Sequence, residues 1–284
     1  MEIKVVAVIG AGVMGRGIAH VAALSGFETI LYDVSTSQGQ QALVAIEANL
    51  SKGVKRGKVE PAAMASALER LRFEGDLRSA VKTADFVIEA IPERMALKLE
   101  LFTTLDESTP PHAILASNTS SLSVTEMAAA VARPQRVIGM HFFNPVHIMK
   151  LVEIIRALET DDETFLATKA LAEAFGKQTV AVNESPGFVT SRINVLIGNE
   201  AFCMLQEGVA SASDIDRAIK LGLNHPMGPF EMGDMVGLDT RLATLKHLHR
   251  TLGEKYRPSP LLEKYVKAGR LGRKVGRGVY DYDT

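Results

Sequence analysis

The chain reads as an α/β protein: a mostly parallel sheet interrupted by a helical hairpin and followed by an all-α C-terminal domain. Three observations predict this. A β-branched run, Ile3 to Ile9, ends in Gly10-Ala11-Gly12-Val13-Met14-Gly15 and passes into residues with helical apolar spacing. Strand-like and helical patterns then alternate as far as residue 183. Beyond Ser185-Pro186, an N-cap with proline in the first turn, the spacing is helical almost to the end. The expected division is into residues 1–184 and 185–284, two unequal domains that suit a chain of 284 residues.

Each element has a local reason. Ile3 to Ile9 is apolar on both faces, as in a central strand of a parallel sheet. In the turn that follows, Gly10 makes the bend, Gly12 lets backbone approach a pyrophosphate, and Gly15 lets helix pack on strand. Ile18, Ala19, Val21, Ala22 and Leu24 form the helix, whose N-terminus offers unpaired N–H groups to phosphate. Strand, glycine turn and helix in this order read as a Rossmann-like dinucleotide site. Thr29-Ile30-Leu31-Tyr32-Asp33 is the second strand, and Asp33 ends it where an acid accepts ribose hydroxyls. A carboxylate there repels a 2′-phosphate, and Val34-Ser35-Thr36 offers no arginine to receive one, so NAD is expected over NADP.

From Thr36 to Arg70 the apolar positions Leu43, Ile46, Leu50, Val54, Met64 and Leu68 follow a helical period broken at Gly57 and Pro61, a two-helix hairpin. Lys52, Lys55, Arg56 and Lys58 cluster at its tip. Two readings stand: a solvated face, or a site for a small phosphate-bearing substrate. Further strands are expected at 72–73, 85–90, 113–116, 136–141, 152–155 and 178–182, with helices around Leu97 to Leu105 and Phe165 to Phe175. Ala90, Glu93, Asn118, Ser120 and His141 then lie toward carboxyl ends of strands, the side where open α/β sheets bind ligands. The polar run Ser117-Asn118-Thr119-Ser120-Ser121 is either a turn with a helix cap or a hydroxyl cluster for cofactor and substrate oxygen. His141-Phe142-Phe143-Asn144-Pro145 and Glu153, in two neighbouring apolar runs, suggest a general base and the carboxylate that orients it. In the C-terminal part, helical patterns cover 193–205, 213–221, 230–252 and 260–268, and Gly278 to Asp281 is strand-like. Their apolar stripes exceed what a thin helical layer buries, so a homodimer through this domain is expected.

Composition narrows the field. With 46% hydrophobic and 23% charged residues, a core is attainable and disorder is not the default. A formal net charge of −1 argues against nucleic acid or an anionic membrane as the main partner. No apolar stretch approaches the ~20 residues that span a bilayer. Cys203 is the single cysteine, so there is no internal disulfide and no CxxC site; it is read as buried, and no metal centre is expected. The first strand begins at once, without a basic or apolar leader, and a cytoplasmic location is the expectation.

Taken together, GAGVMGRGIA, DFVIEAIPE, ASNTSSLSVTE, VIGMHFFNPVHIMKLVEII, SPGFV, LGLNHPMGPFEMGDMVGLD and LGRKVGRGVYDY closely resemble the 3-hydroxyacyl-CoA dehydrogenases, over nearly the whole chain and in order. The match is best to the short bacterial form acting on 3-hydroxybutyryl-CoA. The resemblance implies NAD-dependent interconversion of (S)-3-hydroxyacyl-CoA and 3-oxoacyl-CoA, with short chains favoured. It implies His141 as catalytic base, Glu153 as its partner, and Ser120 against substrate oxygen and cofactor. The dinucleotide would meet Gly10, Ala11, Gly12, Val13, Met14, Gly15, Asp33, Ala90, Glu93, Lys98, Asn118, Asn144 and Lys274. The CoA phosphates would meet the hairpin at Lys52, Lys55 and Arg56. One position departs from the family pattern: the asparagine that helps polarise the substrate carbonyl is replaced by Ser191, with Asn194 three residues on as the other candidate. The rivals are a related dehydrogenase of free hydroxy or sugar acids, and a non-catalytic NAD-binding or structural protein.

Overall fold

The computed structural model describes residues 2–282. The chain divides into two compact units, Met1–Glu184 and Ser185–Thr284.

The first unit is built on an eight-stranded sheet. Its elements run β1 (Val5–Ile9), α1 (Val13–Leu24), β2 (Glu28–Tyr32), α2 (Thr36–Lys55), α3 (Pro61–Arg70), β3 (Leu71–Glu74), α4 (Leu77–Val81), β4 (Phe86–Glu89), α5 (Met95–Ser108), β5 (Ile114–Ser117), α6 (Val124–Ala128), β6 (Val137–Phe142), β7 (Leu151–Arg156), α7 (Asp162–Ala174) and β8 (Gln178–Asn183). The strand order is β3-β2-β1-β4-β5-β6-β7-β8, and every pairing is parallel except β6 with β7. Val6, Val8, Phe86, Ile88, Ile114, Ile138 and Ile154 are fully buried, which is why these strands read as continuous apolar runs. The α2–α3 hairpin stands between β2 and β3. Ser35 caps α2 by accepting from the Gln38 N–H, and Pro61 opens α3. The short helices α4 and α6, capped by Asp76 and Ser123, are not visible in the sequence pattern because five residues are too few for a period to show.

The second unit is helical: α8 (Thr190–Glu207), α9 (Ala212–Gly222), α10 (Pro229–Val236), α11 (Leu238–Leu252) and α12 (Pro260–Lys267). Its core gathers Phe202, Phe230, Leu238, Leu245, Leu248, Tyr256 and Leu262. Three expectations are corrected here. The pattern at 230–252 is two helices, because Gly237 has φ +106°, a backbone conformation that ends one helix before the next begins. Residues 278–281 form no strand, only isolated bridges, because the N–H groups of Val279 and Tyr280 donate to the buried Asp234 carboxylate. Cys203, read as buried, is half-buried.

Candidate active site

The glycine turn is shaped by close approaches. Gly10 has φ +106°, and a Cβ there would stand 2.6 Å from the Ala90 carbonyl oxygen; a Cβ on Gly15 would stand 1.7 Å from that of Gly10. Only glycine fits at either position. Around Gly12 the space is open, with nothing within 4 Å of an added Cβ, so a ligand can reach the backbone. Gly12 is also the N-cap of α1 and brings no side-chain bond to the first N–H groups, the arrangement that receives a pyrophosphate. A cavity of ≈ 690 Å³ opens here, lined by Gly10, Gly12, Val13 and Met14, by Asp33, by Ala90, and by Leu97 and Leu101 of α5.

Asp33 is nearly buried, and its carboxylate is fixed from two sides: Oδ2 accepts the Ala11 N–H at 2.7 Å and Oδ1 the Ser35 N–H at 2.9 Å. The cavity's lining includes no lysine or arginine, only Asp33 and Glu100 as charged groups. These residues fit a dinucleotide whose ribose carries free hydroxyls. Asp33→Ala is expected to raise the dissociation constant for NADH about 10-fold or more, the usual size of a lost charge-assisted bond, and to leave NADPH much less affected. Titration of both by fluorescence checks this; equal losses would sink the assignment.

Beside the cavity, the loops after β4, β5 and β6 are stitched together. Glu93 Oε1 accepts from Thr119 Oγ1 at 2.5 Å and from the Ser120 N–H at 2.9 Å, with longer contacts to the Ser120 and Ser121 hydroxyls. Asn118 Oδ1 accepts the Phe142 N–H at 2.9 Å, next to His141. Lys98 does not line the cavity. It is 1% exposed, with Nζ 2.6 Å from Glu89 and 3.4 Å from Glu93. Glu89 also accepts from Ser117 Oγ and the Ile91 N–H. Burial pushes the Glu93 carboxyl up, but the Lys98 ammonium and the donors from Thr119 and Ser120 outweigh it and hold it below the ordinary value. Sequence reasoning missed Glu89. The signal was present, since a carboxylate inside Phe86-Val87-Ile88-Glu89, a central strand, has to be paired.

His141 and Glu153 face each other across the antiparallel pair β6–β7, Nδ1 to Oε2 at 2.7 Å, with Glu153 fully buried and His141 7% exposed. The Phe143 ring packs on the imidazole at 4.5 Å between centroids. A carboxylate on Nδ1 fixes the tautomer and orientation of the ring. Asn144 follows in the loop after β6.

Lys52, Lys55 and Arg56 are exposed at the C-terminal end of α2, with Lys58 just beyond. None of the four makes an ion pair among the described residues, so the cluster remains available to an anion. In the second unit, Ser191 and Asn194 lie in the first turns of α8. Arg241, 3% exposed, donates to the Asn194 backbone carbonyl at 2.8 Å and to its Oδ1 at 3.2 Å. That orients the Asn194 carboxamide, a constraint invisible across 47 residues of sequence. Lys274 binds both carboxylate oxygens of Asp239, at 2.6 and 2.7 Å. No group of three or more possible metal ligands occurs among the described residues, and no helix there is long and apolar enough to cross a membrane.

Residues 5–185 match the family model described as 3-hydroxyacyl-CoA dehydrogenase, NAD binding domain, and residues 187–282 match that of the 3-hydroxyacyl-CoA dehydrogenase C-terminal domain. The chain is 52% identical to a probable 3-hydroxybutyryl-CoA dehydrogenase of Bacillus subtilis over 100% of its own length and 99% of that protein's. It is 40% identical to human mitochondrial hydroxyacyl-coenzyme A dehydrogenase, covering 99% and 91%. Among solved structures, the (S)-3-hydroxybutyryl-CoA dehydrogenase of Ralstonia eutropha superposes with a TM-score of 0.97 at 44% identity, covering 100% of both chains.

Proposed function

The chain belongs to the 3-hydroxyacyl-CoA dehydrogenase family and is an NAD-dependent oxidoreductase of 3-hydroxyacyl-CoA thioesters; from this premise we propose that His141, oriented by Glu153, is its acid–base residue. The observation that carries the assignment is the buried 2.7 Å contact of His141, on the strand next to β5 and its Ser117–Ser121 loop, with Glu153 of β7. NAD, when bound, supplies the hydride acceptor for C3. In oxidation His141 takes the proton of the 3-hydroxyl group, and in reduction it returns that proton to the ketone oxygen. Glu153 stabilises the imidazolium that forms in between. Ser120 donates to the substrate oxygen, as does Ser191 or Asn194, a contribution of about 3 kcal/mol per donor where charge develops. Gly10 to Gly15, Asp33 and Ala90 hold the dinucleotide, while Lys98 serves it through Glu93, and Asn118 and Asn144 shape the rim. Lys274 completes the set by family resemblance.

Lys52, Lys55 and Arg56 receive the CoA phosphates, and a short acyl chain such as 3-hydroxybutyryl is the substrate. A second copy of the chain covers the exposed apolar side chains of the 185–284 unit, among them Val209, Leu221, Leu223 and Met235. Sedimentation as a monomer at micromolar concentration would count against the dimer. We place the enzyme in the cytoplasm, which cell fractionation tests. The function is tested by following NADH consumption with acetoacetyl-CoA, beside NADPH and beside free acetoacetate. Rapid turnover is expected only with NADH and the thioester. Activity on the free acid alone would transfer the chain to a relative that needs no CoA.

A further inference from the structure

β6 and β7 present His141 and Glu153 to each other, and the eight residues between them, 143–150, carry Asn144 and reverse the chain. Within that loop the N–H groups of Ile148 and Met149 both donate to the Pro145 carbonyl. The carbonyls of Val146 and Met149 instead converge on one ammonium group: Lys177 Nζ donates to them at 2.5 and 2.9 Å. Lys177 is 8% exposed, and among the described residues no carboxylate pairs with it. It stands in the turn between α7 and β8, where its own N–H donates to the Ala172 carbonyl and that of Gln178 to Lys150.

The other side of the loop rests on α1. Val146 is 2% exposed and packs so closely that a Cβ on Gly17 would come within 2.8 Å of its Cγ2. The His147 ring stacks on His20 of α1, with centroids 5.3 Å apart and planes 5° from parallel. Burial, then His147 and Lys177, push His20 down to about 4; burial and Lys177 lower His147 as well. Near neutral pH both rings are uncharged, and burial lowers the Lys177 ammonium from its ordinary value as well. A buried charge without a counter-ion is costly. What it supplies in return is two charge-assisted bonds to one loop, a constraint on geometry.

We propose that Lys177 is a positioning residue for proton transfer: clamping Val146 and Met149, it holds the 143–150 loop against α1 and thereby sets Asn144 and the His141–Glu153 pair relative to the helix that opens the dinucleotide site. It touches neither substrate nor cofactor. The inference rests on His141 being the acid–base residue.

The test uses the full chain with Lys177→Met, Lys177→Gln and Lys177→Arg, assayed with NADH and acetoacetyl-CoA. His141→Ala and Lys169→Met, an exposed lysine on α7, run beside them. Lys177→Met and Lys177→Gln are expected to lower kcat ~10–100-fold, the cost of reacting groups displaced by about an ångström. KM for the thioester and affinity for NADH should stay within ~3-fold, Lys177→Arg should recover most of the rate, and Lys169→Met should match the wild type. A kcat within ~2-fold of wild type in the folded Met and Gln variants overturns the proposal, whatever happens to their melting temperature. If Lys177→Met does not fold, Lys177→Gln decides by the same criterion. If His141→Ala is inactive while the Lys177 variants are normal, only the positioning role falls. If His141→Ala retains turnover, the acid–base assignment falls and takes this role with it.

Discussion

Replacing His141 by alanine is expected to cut turnover at least ~100-fold in both directions, the ordinary size of a general acid–base contribution. The ring is held on one side by Glu153 at 2.7 Å and on another by Phe143, so it is pre-aligned rather than recruited on binding. NADH affinity should change little, because no residue of β6 lines the dinucleotide cavity. The loss should therefore appear in kcat rather than in KM. Glu153→Gln provides the sharper comparison. It keeps the shape but removes the negative charge, and its NH₂ can turn toward Nδ1 and select the wrong tautomer. A loss of at least ~10-fold is expected, smaller than for His141→Ala. Steady-state and single-turnover rates measure both. Near-normal turnover in His141→Ala would refute the base assignment, and an unaffected Glu153→Gln would reduce the carboxylate to a packing group.

The second large effect is on stability. Lys98→Met leaves Glu89, 0% exposed, and Glu93 facing the space that the ammonium held. Breaking a buried ion pair from one side costs about 3–5 kcal/mol. In a unit of this size that is a fall in melting temperature of roughly 6–20 °C. The pH dependence should move too. A carboxyl held below its ordinary value contributes stability in full above that value and loses it as the pH falls through the lowered one. Glu93 is such a group, held down in part by Lys98. Without the ammonium the lowering relaxes, so acid destabilisation begins at a higher pH than in the wild type. Thermal melts across a pH series check both statements. The double variant Lys98→Met with Glu89→Leu should recover part of the loss, because it removes the stranded carboxylate as well. A melting temperature within ~2 °C of wild type for Lys98→Met would show that the pair carries no net stability.

These two predictions draw on different levels of information. The sheet, the glycine turn, Asp33 and the helical hairpin were legible in sequence, because each depends on short-range rules: side-chain period, glycine conformation, capping. The pairing of His141 with Glu153 was half legible. Two apolar runs at hairpin distance suggested it, but the antiparallel register that sets the two residues directly opposite comes from β7 docking on β6. The roles of charged residues were the least legible. Lys98 was expected beside the cofactor, and its ion pairs with Glu89 and Glu93 could not be read from the sequence. Lys177 has no distinguishing pattern around it in the sequence, and it binds two carbonyls 28 and 31 residues away. The helical pattern at 230–252 concealed a break, because Gly237 between two helices and a glycine within one helix look alike in one dimension.

What the sequence by itself determined is the layout: an open α/β sheet with a dinucleotide turn, a basic hairpin, an all-helical second part, and a histidine and a glutamate in two neighbouring apolar runs. Tertiary structure alone decided which buried charges meet, which carbonyls Lys177 holds, and how Arg241 turns Asn194. The physical reason is range. Backbone conformation and apolar periodicity are set by neighbours along the chain, whereas a charge inside a low-dielectric core is governed by whatever partner packing brings within about 3 Å of it.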